Sequence, residues 1–327
     1  GDSPGLNAVI RALAHRCFQN GRELVGYRNG FAGVLVRDAT LLDATAVKGI
    51  LHLGGTMLGT SRTDPLEVPD GARRVRETLR EDGVAGLVVI GGDGSLSASL
   101  ELAQHDVPLV GVPKTIDNDL QGTDFTFGFD TAVFIATSAI DRLHSTAEAH
   151  NRVLVVEVMG RHTGWIAAHA GIAGGADVIL VPELPFTVDQ VCDRVRERQQ
   201  RGRGFSIVVI AEGATPADHD DARPDRRSGV RPGTTSAWLA EEIEVRTGVE
   251  TRLVVLGHIQ RGGSPTAYDR MLATRFGVAA ADAVFAGRWS QMVSLQGRRV
   301  TTIPLESAVH RLKRLDDDML ELIRIFG

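Results

Sequence analysis

Residues 87–95 read Leu-Val-Val-Ile-Gly-Gly-Asp-Gly-Ser and restrict the chain to few folds. The unbroken apolar part is typical of a buried parallel strand, and residues 96–104 have a helical pattern. A strand, a glycine-rich turn and a helix together present backbone N–H groups to a phosphate. Asp93 repels a phosphate, so its presence there makes sense if Mg²⁺ lies between the two. The alternative is a tight turn in which Asp93 and Ser95 cap the helix.

Apolar runs of this kind recur along the chain and alternate with helical patterns. Further strand patterns occur at residues 107–112, 153–158, 178–181, 206–210 and 253–256. Strands that alternate with helices predict an α/β fold with mainly parallel sheets. The chain has 327 residues, which is enough for two lobes. We therefore expect two doubly wound, Rossmann-like lobes, and a final helix over residues 305–325.

Composition excludes several functional classes. The net charge of −5 argues against a general nucleic-acid binder. No run approaches the roughly 18 apolar residues of a membrane span, and no signal peptide is visible. Cys17 and Cys192 suggest no disulfide framework, which suits a reducing cytoplasm. An α/β chain rarely opens on a loop such as residues 1–5, so we expect a preceding strand that this sequence does not include.

Charged side chains are concentrated in the turns that follow the predicted strands. Lys114, Thr115, Asp117 and Asp119 follow the strand at 107–112, at the edge where open α/β sheets bind ligands. Cations for several phosphates, with carboxylates for a metal and a base, are what phosphoryl transfer requires. The alternatives are an Asx-rich turn and solvated surface arginines. The other members of this set are Arg62, Asp93, Arg152, Arg161, Glu212, Arg252, His258 and Arg261.

Four ordered motifs make the chain resemble the 6-phosphofructokinases. They lie at residues 91–95, 115–119, 159–161 and 257–265, and the resemblance extends from residue 1 to about residue 295. It implies transfer of the γ-phosphoryl group of ATP to the 1-hydroxyl of fructose 6-phosphate with Mg²⁺, in a cytoplasmic homotetramer. It also implies an active site in the cleft between two lobes. We expect residues 1–128 and 260–313 to bind nucleotide, and residues 129–259 and 314–327 to bind sugar phosphate.

The resemblance assigns roles to individual residues. Asp117 is expected to be the general base. Thr115 is expected to contact the transferring phosphoryl group, and Arg62 and Arg161 to stabilise its charge. Lys114 is expected to be a further catalytic residue. Asp93 and Asp119 are expected to hold Mg²⁺, directly or through water. The residues implied for the donor phosphates are Gly1, Arg62, Gly92, Asp93, Gly94 and Ser95.

The same resemblance implies a sugar phosphate site that is shared between subunits. Arg152 and Arg252 are expected to reach across an interface into the neighbouring subunit's site. The residues implied for fructose 6-phosphate are Thr115, Asp117, Arg152, Met159, Gly160, Arg161, Glu212, Arg252, His258 and Arg261.

The phosphoryl donor is where the family pattern divides. In similar enzymes a glycine at the position of Gly94 leaves room for the α-phosphate of ATP, whereas an aspartate excludes it. Pyrophosphate-dependent relatives commonly have a lysine at the position of Lys114. We expect ATP, because a clash forbids binding while an extra cation only assists it, and pyrophosphate is the alternative donor.

Two other classes stay open. The first is a non-catalytic regulatory subunit, which would be expected to lose Asp93, Thr115 or Asp117, yet the chain has all three. The second is a lipid or NAD kinase, in which a Gly-Gly-Asp-Gly turn also occurs. The motifs at 159–161 and 257–265 do not belong to that pattern.

Overall fold

The computed structural model describes residues 2–217 and 233–327. Three short 3₁₀ helices, Pro65–Glu67, Gly257–Arg261 and Leu305–Ser307, complement the longer elements. The α-helices of the described chain are α1 (Leu6–Gln19), α2 (Phe31–Val36), α3 (Gly71–Glu81), α4 (Asp93–Gln104), α5 (Phe129–His150), α6 (Trp165–Ala173), α7 (Val188–Gln200), α8 (Thr234–Thr247), α9 (Ala267–Phe285) and α10 (Asp317–Phe326). The strands are β1 (Val25–Tyr27), β2 (Ala39–Leu41), β3 (Leu87–Gly91), β4 (Leu109–Pro113), β5 (Val153–Val158), β6 (Val178–Leu180), β7 (Ser206–Ala211), β8 (Thr251–Val255), β9 (Gln291–Gln296) and β10 (Arg299–Pro304).

The chain divides into two compact units. The first comprises Gly1–Thr131 and Arg261–Leu312, and the second comprises Ala132–Gln260 and Lys313–Gly327. Each unit has its own sheet and its own apolar core. The α/β class with mainly parallel sheets in two Rossmann-like lobes is therefore confirmed. The binding roles expected for the two lobes stay predictions.

The four-stranded sheet of the first unit has the order β10-β9-β4-β3, and β1 and β2 form a separate two-stranded sheet. β3 pairs with β4 in parallel, β4 pairs with β9 in parallel, and β9 and β10 form an antiparallel hairpin. All five residues of β4 are buried, as expected for an inner parallel strand covered on both faces. The carboxyl ends of β3 and β4 are thus side by side, which brings the loops after residues 91 and 113 together.

The sheet of the second unit has the order β6-β7-β5-β8, and every pairing is parallel. All six residues of β5 and of β7 are buried, because helices cover the sheet. α7 begins at a capping box, in which the Thr187 hydroxyl accepts from Gln190 N and the Gln190 side chain accepts from Thr187 N. The loops after β5, β7 and β8 leave the same edge of this sheet.

One predicted helix is wrong, and one β-hairpin was not predicted. The expected final helix over residues 305–325 is instead a 3₁₀ turn, an irregular segment and α10, which begins at Asp317 with an Asp316 cap. The hairpin of β9 and β10 had no counterpart in the sequence pattern. Among the described residues, none of the helices combines the length and the apolar character needed to cross a bilayer.

Candidate active site

The glycine-rich turn after β3 lines a cavity of about 1340 Å³ in the first unit. Gly92 precedes α4, and Asp93, Gly94 and Ser95 form the first turn of that helix. Arg62 and Lys114 line the same cavity. A Cβ added at Gly94 would meet no atom within 4 Å, so this position is open. At the glycine-rich turn, the cavity is therefore lined by backbone donors, Arg62, Lys114 and Asp93, a combination that suits phosphate binding.

The loop after β4 is held against this turn by hydrogen bonds. Lys114 N donates to Gly91 O at 2.8 Å. The carbonyl of Thr115 accepts from the Thr126 hydroxyl at 2.7 Å, and the Asn118 side chain accepts from Thr126 N at 3.1 Å. These bonds fix a loop that would otherwise be irregular, and they place Thr115 and Asp117 at the carboxyl edge of the sheet.

Thr115 and Asp117 are also linked directly. Asp117 N donates to Thr115 Oγ1 at 3.1 Å. Asn118 has a positive φ of 51°, a conformation that asparagine tolerates better than most residues. The sharp turn at Asn118 separates Asp117 from Asp119 on the loop. The sequence motif contains Asn118 and Asp119, but the tethering role of Thr126 is a contact that sequence reasoning missed.

Lys114 is a buried residue with both positive and negative side chains near it. Only 7% of its surface is exposed. Burial, followed by the positive charge of Arg261, lowers the pKa of Lys114, whereas Asp117, Asp2 and Asp119 act in the opposite direction. The first unit thus brings Lys114, Asp117, Asp119 and Arg261 into one electrostatic cluster.

In the second unit, loops that follow neighbouring strands are tied to one another. Gly213 N donates to Gly160 O at 3.1 Å, and Glu212 N donates to Val158 O at 2.9 Å. A Cβ at Gly213 would lie 2.0 Å from Arg161 O, so only glycine permits this approach. The loops that carry Met159, Gly160 and Arg161 and that carry Glu212 therefore lie in contact. His258 is exposed on the 3₁₀ turn after β8.

A buried carboxylate that sequence reasoning missed lies behind these loops. Glu157 is 4% exposed and accepts from Gly233 N at 2.9 Å and from the Ser236 hydroxyl at 2.5 Å. It thereby caps the N-terminus of α8 from a neighbouring strand. Burial raises the pKa of Glu157, and the charge of Glu212 adds to that effect. The available signal was a lone carboxylate inside an apolar strand.

Arg152 and Arg252 lie at the opposite edge of the same sheet. Arg152 precedes β5, and Arg252 is paired with Leu154 near the beginning of β5. Both guanidinium groups form ion pairs with Glu250, and the Arg152 pair measures 2.6 Å. Strands advance by about 3.3 Å per residue, so Arg152 and Met159 are separated by roughly 20 Å. One chain does not bring these two arginines to the loops at the carboxyl edge.

Two sequence predictions remain, which are the Mg²⁺ site and the phosphate contact of Gly1. Among residues 2–217 and 233–327, no group of three or more His, Cys, Asp or Glu side chains is arranged to hold a metal. Two carboxylates with phosphate oxygens and water suffice for Mg²⁺, and Asp93 lines the cavity beside the glycine-rich turn. Gly1 lies outside the described residues.

Both units carry cations and carboxylates on loops at the carboxyl edges of their mainly parallel sheets, where α/β enzymes bind ligands and where phosphoryl transfer needs such groups. The family model described as Phosphofructokinase matches residues 1–284, and the chain therefore belongs to the phosphofructokinase family. It is an enzyme of the 6-phosphofructokinase type.

The chain is similar to relatives named for pyrophosphate and to relatives named for ATP. A "Pyrophosphate--fructose 6-phosphate 1-phosphotransferase" of Streptomyces coelicolor is 54% identical, over 100% of this chain and 97% of its own length. "ATP-dependent 6-phosphofructokinase 3" of the same organism is 50% identical, over 97% and 94%. A solved structure of phosphofructokinase from Saccharomyces cerevisiae superposes with a TM-score of 0.83 at 30% identity, over 100% of this chain and 44% of that longer chain.

Proposed function

We propose that this protein transfers a phosphoryl group from ATP to the 1-hydroxyl of fructose 6-phosphate, which gives fructose 1,6-bisphosphate and ADP. The observation that carries the proposal is the loop after β4. Its hydrogen bonds to Gly91 and Thr126 hold Lys114, Thr115 and Asp117 beside the glycine-rich turn. A base, a hydroxyl and a cation next to a phosphate cradle are the groups that phosphoryl transfer needs.

Asp117 takes the proton from the sugar hydroxyl in this proposal. The hydroxyl oxygen bonds to the γ-phosphorus, the bond from that phosphorus to the bridging oxygen breaks, and ADP leaves with the electron pair. A positioned base of this kind contributes about 10²–10⁴-fold in rate. Thr115 contacts the transferring group, and Arg62, Lys114 and Arg161 stabilise the charge on it.

Mg²⁺ fits the donor set on the first unit. Asp93 and Asp119 would hold it, directly or through water, because hard carboxylate oxygens are its preferred protein ligands. When bound, the ion offsets the negative charge of the donor phosphates. Arg62, Ser95 and the backbone around Gly92 would bind those phosphates, with Gly1 as a further member.

The sugar phosphate is proposed to bind mainly through the second unit. Met159, Gly160 and Arg161 follow β5, and Glu212 follows β7. Carboxylates such as Glu212 accept hydrogen bonds from sugar hydroxyls, and arginines bind phosphate oxygens. The residues proposed for fructose 6-phosphate in addition to these are Arg152, Arg252, His258 and Arg261.

The position of Arg152 and Arg252 supports a shared site. They lie at the amino edge of the sheet in one chain, so they reach a sugar phosphate only in a neighbouring copy. We therefore propose a homo-oligomer, with a tetramer as the expected form, in which each sugar phosphate contacts two chains.

ATP is proposed as the donor on steric grounds. Gly94 has no side chain, and the open space at this position is available to a nucleotide phosphate. Pyrophosphate is the second candidate because of Lys114 and because the names of three relatives specify that donor. A lysine offsets the charge of a leaving phosphate that has no nucleotide to bind it. A non-catalytic regulatory role is less favoured, since Asp93, Thr115 and Asp117 are all present.

The test is steady-state turnover with ATP and with pyrophosphate, each over a titration of fructose 6-phosphate. We expect turnover with ATP that saturates in the sugar phosphate. Turnover with pyrophosphate alone would overturn the choice of donor, and absence of turnover with both would overturn the proposed reaction.

A further inference from the structure

Gln260 is the buried member of an otherwise accessible turn. It lies in the 3₁₀ helix Gly257–Arg261 and is 0% exposed, whereas the neighbouring His258 and Ile259 are exposed. A fully buried amide needs partners for both its carbonyl and its NH₂ group. The contacts of Gln260 therefore indicate what this turn is attached to.

The partners of Gln260 are backbone groups of two different loops. Its Oε1 accepts from Met159 N at 3.3 Å, and its Nε2 donates to Gly257 O at 3.1 Å. Met159 is the residue that directly follows β5, and Gly257 begins the turn that follows β8. One neutral side chain thus joins the loop after β5 to the turn that carries His258.

This link extends to a third loop through the backbone. Gly160 O accepts from Gly213 N at 3.1 Å, so the loop after β7 is tied to the loop that Gln260 holds. Gly160 has a φ of +133°, a conformation that costs a residue with a Cβ more than it costs glycine. The loop after β5 is therefore held on both sides in a backbone conformation that depends on these contacts.

We propose that Gln260 is a positioning residue for the sugar phosphate, which it does not contact itself. It fixes Met159 and the turn that carries His258 relative to each other. This inference rests on the proposed function, since the loops it joins are the ones assigned to fructose 6-phosphate. A glutamine suits the role because it has a donor and an acceptor at one end and carries no charge to desolvate.

The test uses Gln260→Met, which keeps the length and the burial but has no amide. Two partly buried backbone groups then lose their partner, and such losses weaken a site measurably. We expect KM for fructose 6-phosphate to rise about tenfold, while kcat and KM for the donor change less than about twofold. Gln260→Asn keeps both amide groups on a side chain shorter by one methylene, so we expect a smaller rise, and this variant serves if Gln260→Met does not fold.

Asp177→Asn is the matched control for loss of buried polar contacts. The Asp177 carboxylate accepts from Ile207 N at 2.9 Å and pairs with Arg198 at 2.7 Å, at the amino edge of the same sheet. We expect this control to lower Tm without changing KM for fructose 6-phosphate. A similar KM change in the control, or unchanged KM in Gln260→Met, would overturn the positioning role.

Equilibrium binding of fructose 6-phosphate without donor distinguishes a failure of the positioning role of Gln260 from a failure of the proposed function. If the unmodified protein binds the sugar phosphate and Gln260→Met binds it equally well, the positioning role is wrong and the proposed function stands. If the unmodified protein does not bind it, the proposed function fails and the role of Gln260 fails with it. If the unmodified protein binds the sugar phosphate and Gln260→Met binds it more weakly, the result supports both the proposed function and the positioning role.

Discussion

At the scale of single residues, we propose that Gly94 determines how much room the phosphoryl donor has. It is in the first turn of α4, beside Asp93, and an added Cβ would contact nothing within 4 Å. A side chain at this position therefore projects into open space and does not disturb the fold. Such a side chain is expected to weaken binding of the donor without lowering the stability of the protein, so the position is suitable for a test of donor size.

We expect Gly94→Asp to raise KM for ATP at least about tenfold, because the carboxylate repels the α-phosphate and fills its space. Gly94→Ala is the control for bulk without charge, and we expect a change of less than about threefold. Steady-state titration of ATP measures both, with thermal unfolding as the check that Tm is unchanged. An unaltered KM in Gly94→Asp would show that no nucleotide phosphate lies at this turn.

Several residues of the candidate site could be predicted from sequence, since their types and their order after strands indicate their chemistry. Lys114, Asp117 and Asp93 follow apolar runs directly, and parallel strands bring such positions to one edge. Glu157 and Gln260 could not be predicted in this way. Their partners are backbone groups brought together by the sheet pairing, and no local pattern encodes which side chain fills that gap.

At the scale of elements, a buried carboxylate joins the N-termini of two helices in the first unit. Asp269 on α9 is 0% exposed and accepts from Thr131 N at 2.8 Å and from the Thr131 hydroxyl at 2.5 Å, near the start of α5. The Thr266 hydroxyl, at the start of α9, donates to Asp130 at 2.5 Å. Burial is the largest cause that raises the pKa of Asp269, from 3.8 to about 6.

This raised pKa predicts how stability depends on pH. Since the folded state retains the proton longer than the unfolded state, the contribution of Asp269 is present below pH 3.8 and is lost as the pH rises through about 6. Asp269→Asn cannot ionise. We therefore expect the free energy of unfolding of Asp269→Asn, relative to the unmodified protein, to improve by at least about 1 kcal/mol between pH 4 and pH 7.

Urea unfolding at both pH values measures this difference. Asp282→Asn is the control, because Asp282 is on the same helix but is 38% exposed beside Arg16. We expect no comparable pH-dependent gain in the control. A constant difference between Asp269→Asn and the unmodified protein at both pH values would contradict the account.

The elements themselves were predictable to different degrees. Long apolar strands such as β5 are recognisable because both faces are buried. The hairpin of β9 and β10 mixes polar and apolar residues, and the buried Ser294 bonds to Gly122 O, so its strand character depends on neighbours. The expected final helix is interrupted because Leu312 forms a bridge with Leu120, which is a tertiary contact that local periodicity does not encode.

At the scale of the whole molecule, the residues proposed for the sugar phosphate lie at two opposite edges of the second sheet. Arg152 and Arg252 lie at the amino edge with Glu250, and Met159 and Glu212 follow strands at the carboxyl edge. If sites are shared between chains, a chain that lacks Arg252 and a chain that lacks Asp117 should complete each other's sites. Such complementation is specific to assemblies in which one site uses two subunits.

We expect coexpressed Arg252→Ser and Asp117→Ser chains to regain activity in about a quarter of the sites, although each variant alone is nearly inactive. Coexpression of Lys114→Met with Asp117→Ser is the control, because both residues belong to one loop of one chain and no site is then complete. Activity of purified mixed oligomers is the measurement. Recovery no greater than in the control would contradict a shared site.

The most direct measurement of the central claim is kcat of Asp117→Ser, determined together with its equilibrium binding of fructose 6-phosphate. In the proposed reaction, the Asp117 carboxylate takes the proton of the sugar's 1-hydroxyl as the phosphoryl group arrives. We therefore expect a loss of about 10²-fold or more in kcat, with sugar phosphate binding nearly unchanged. A variant that retains more than about a tenth of the original kcat would contradict this assignment.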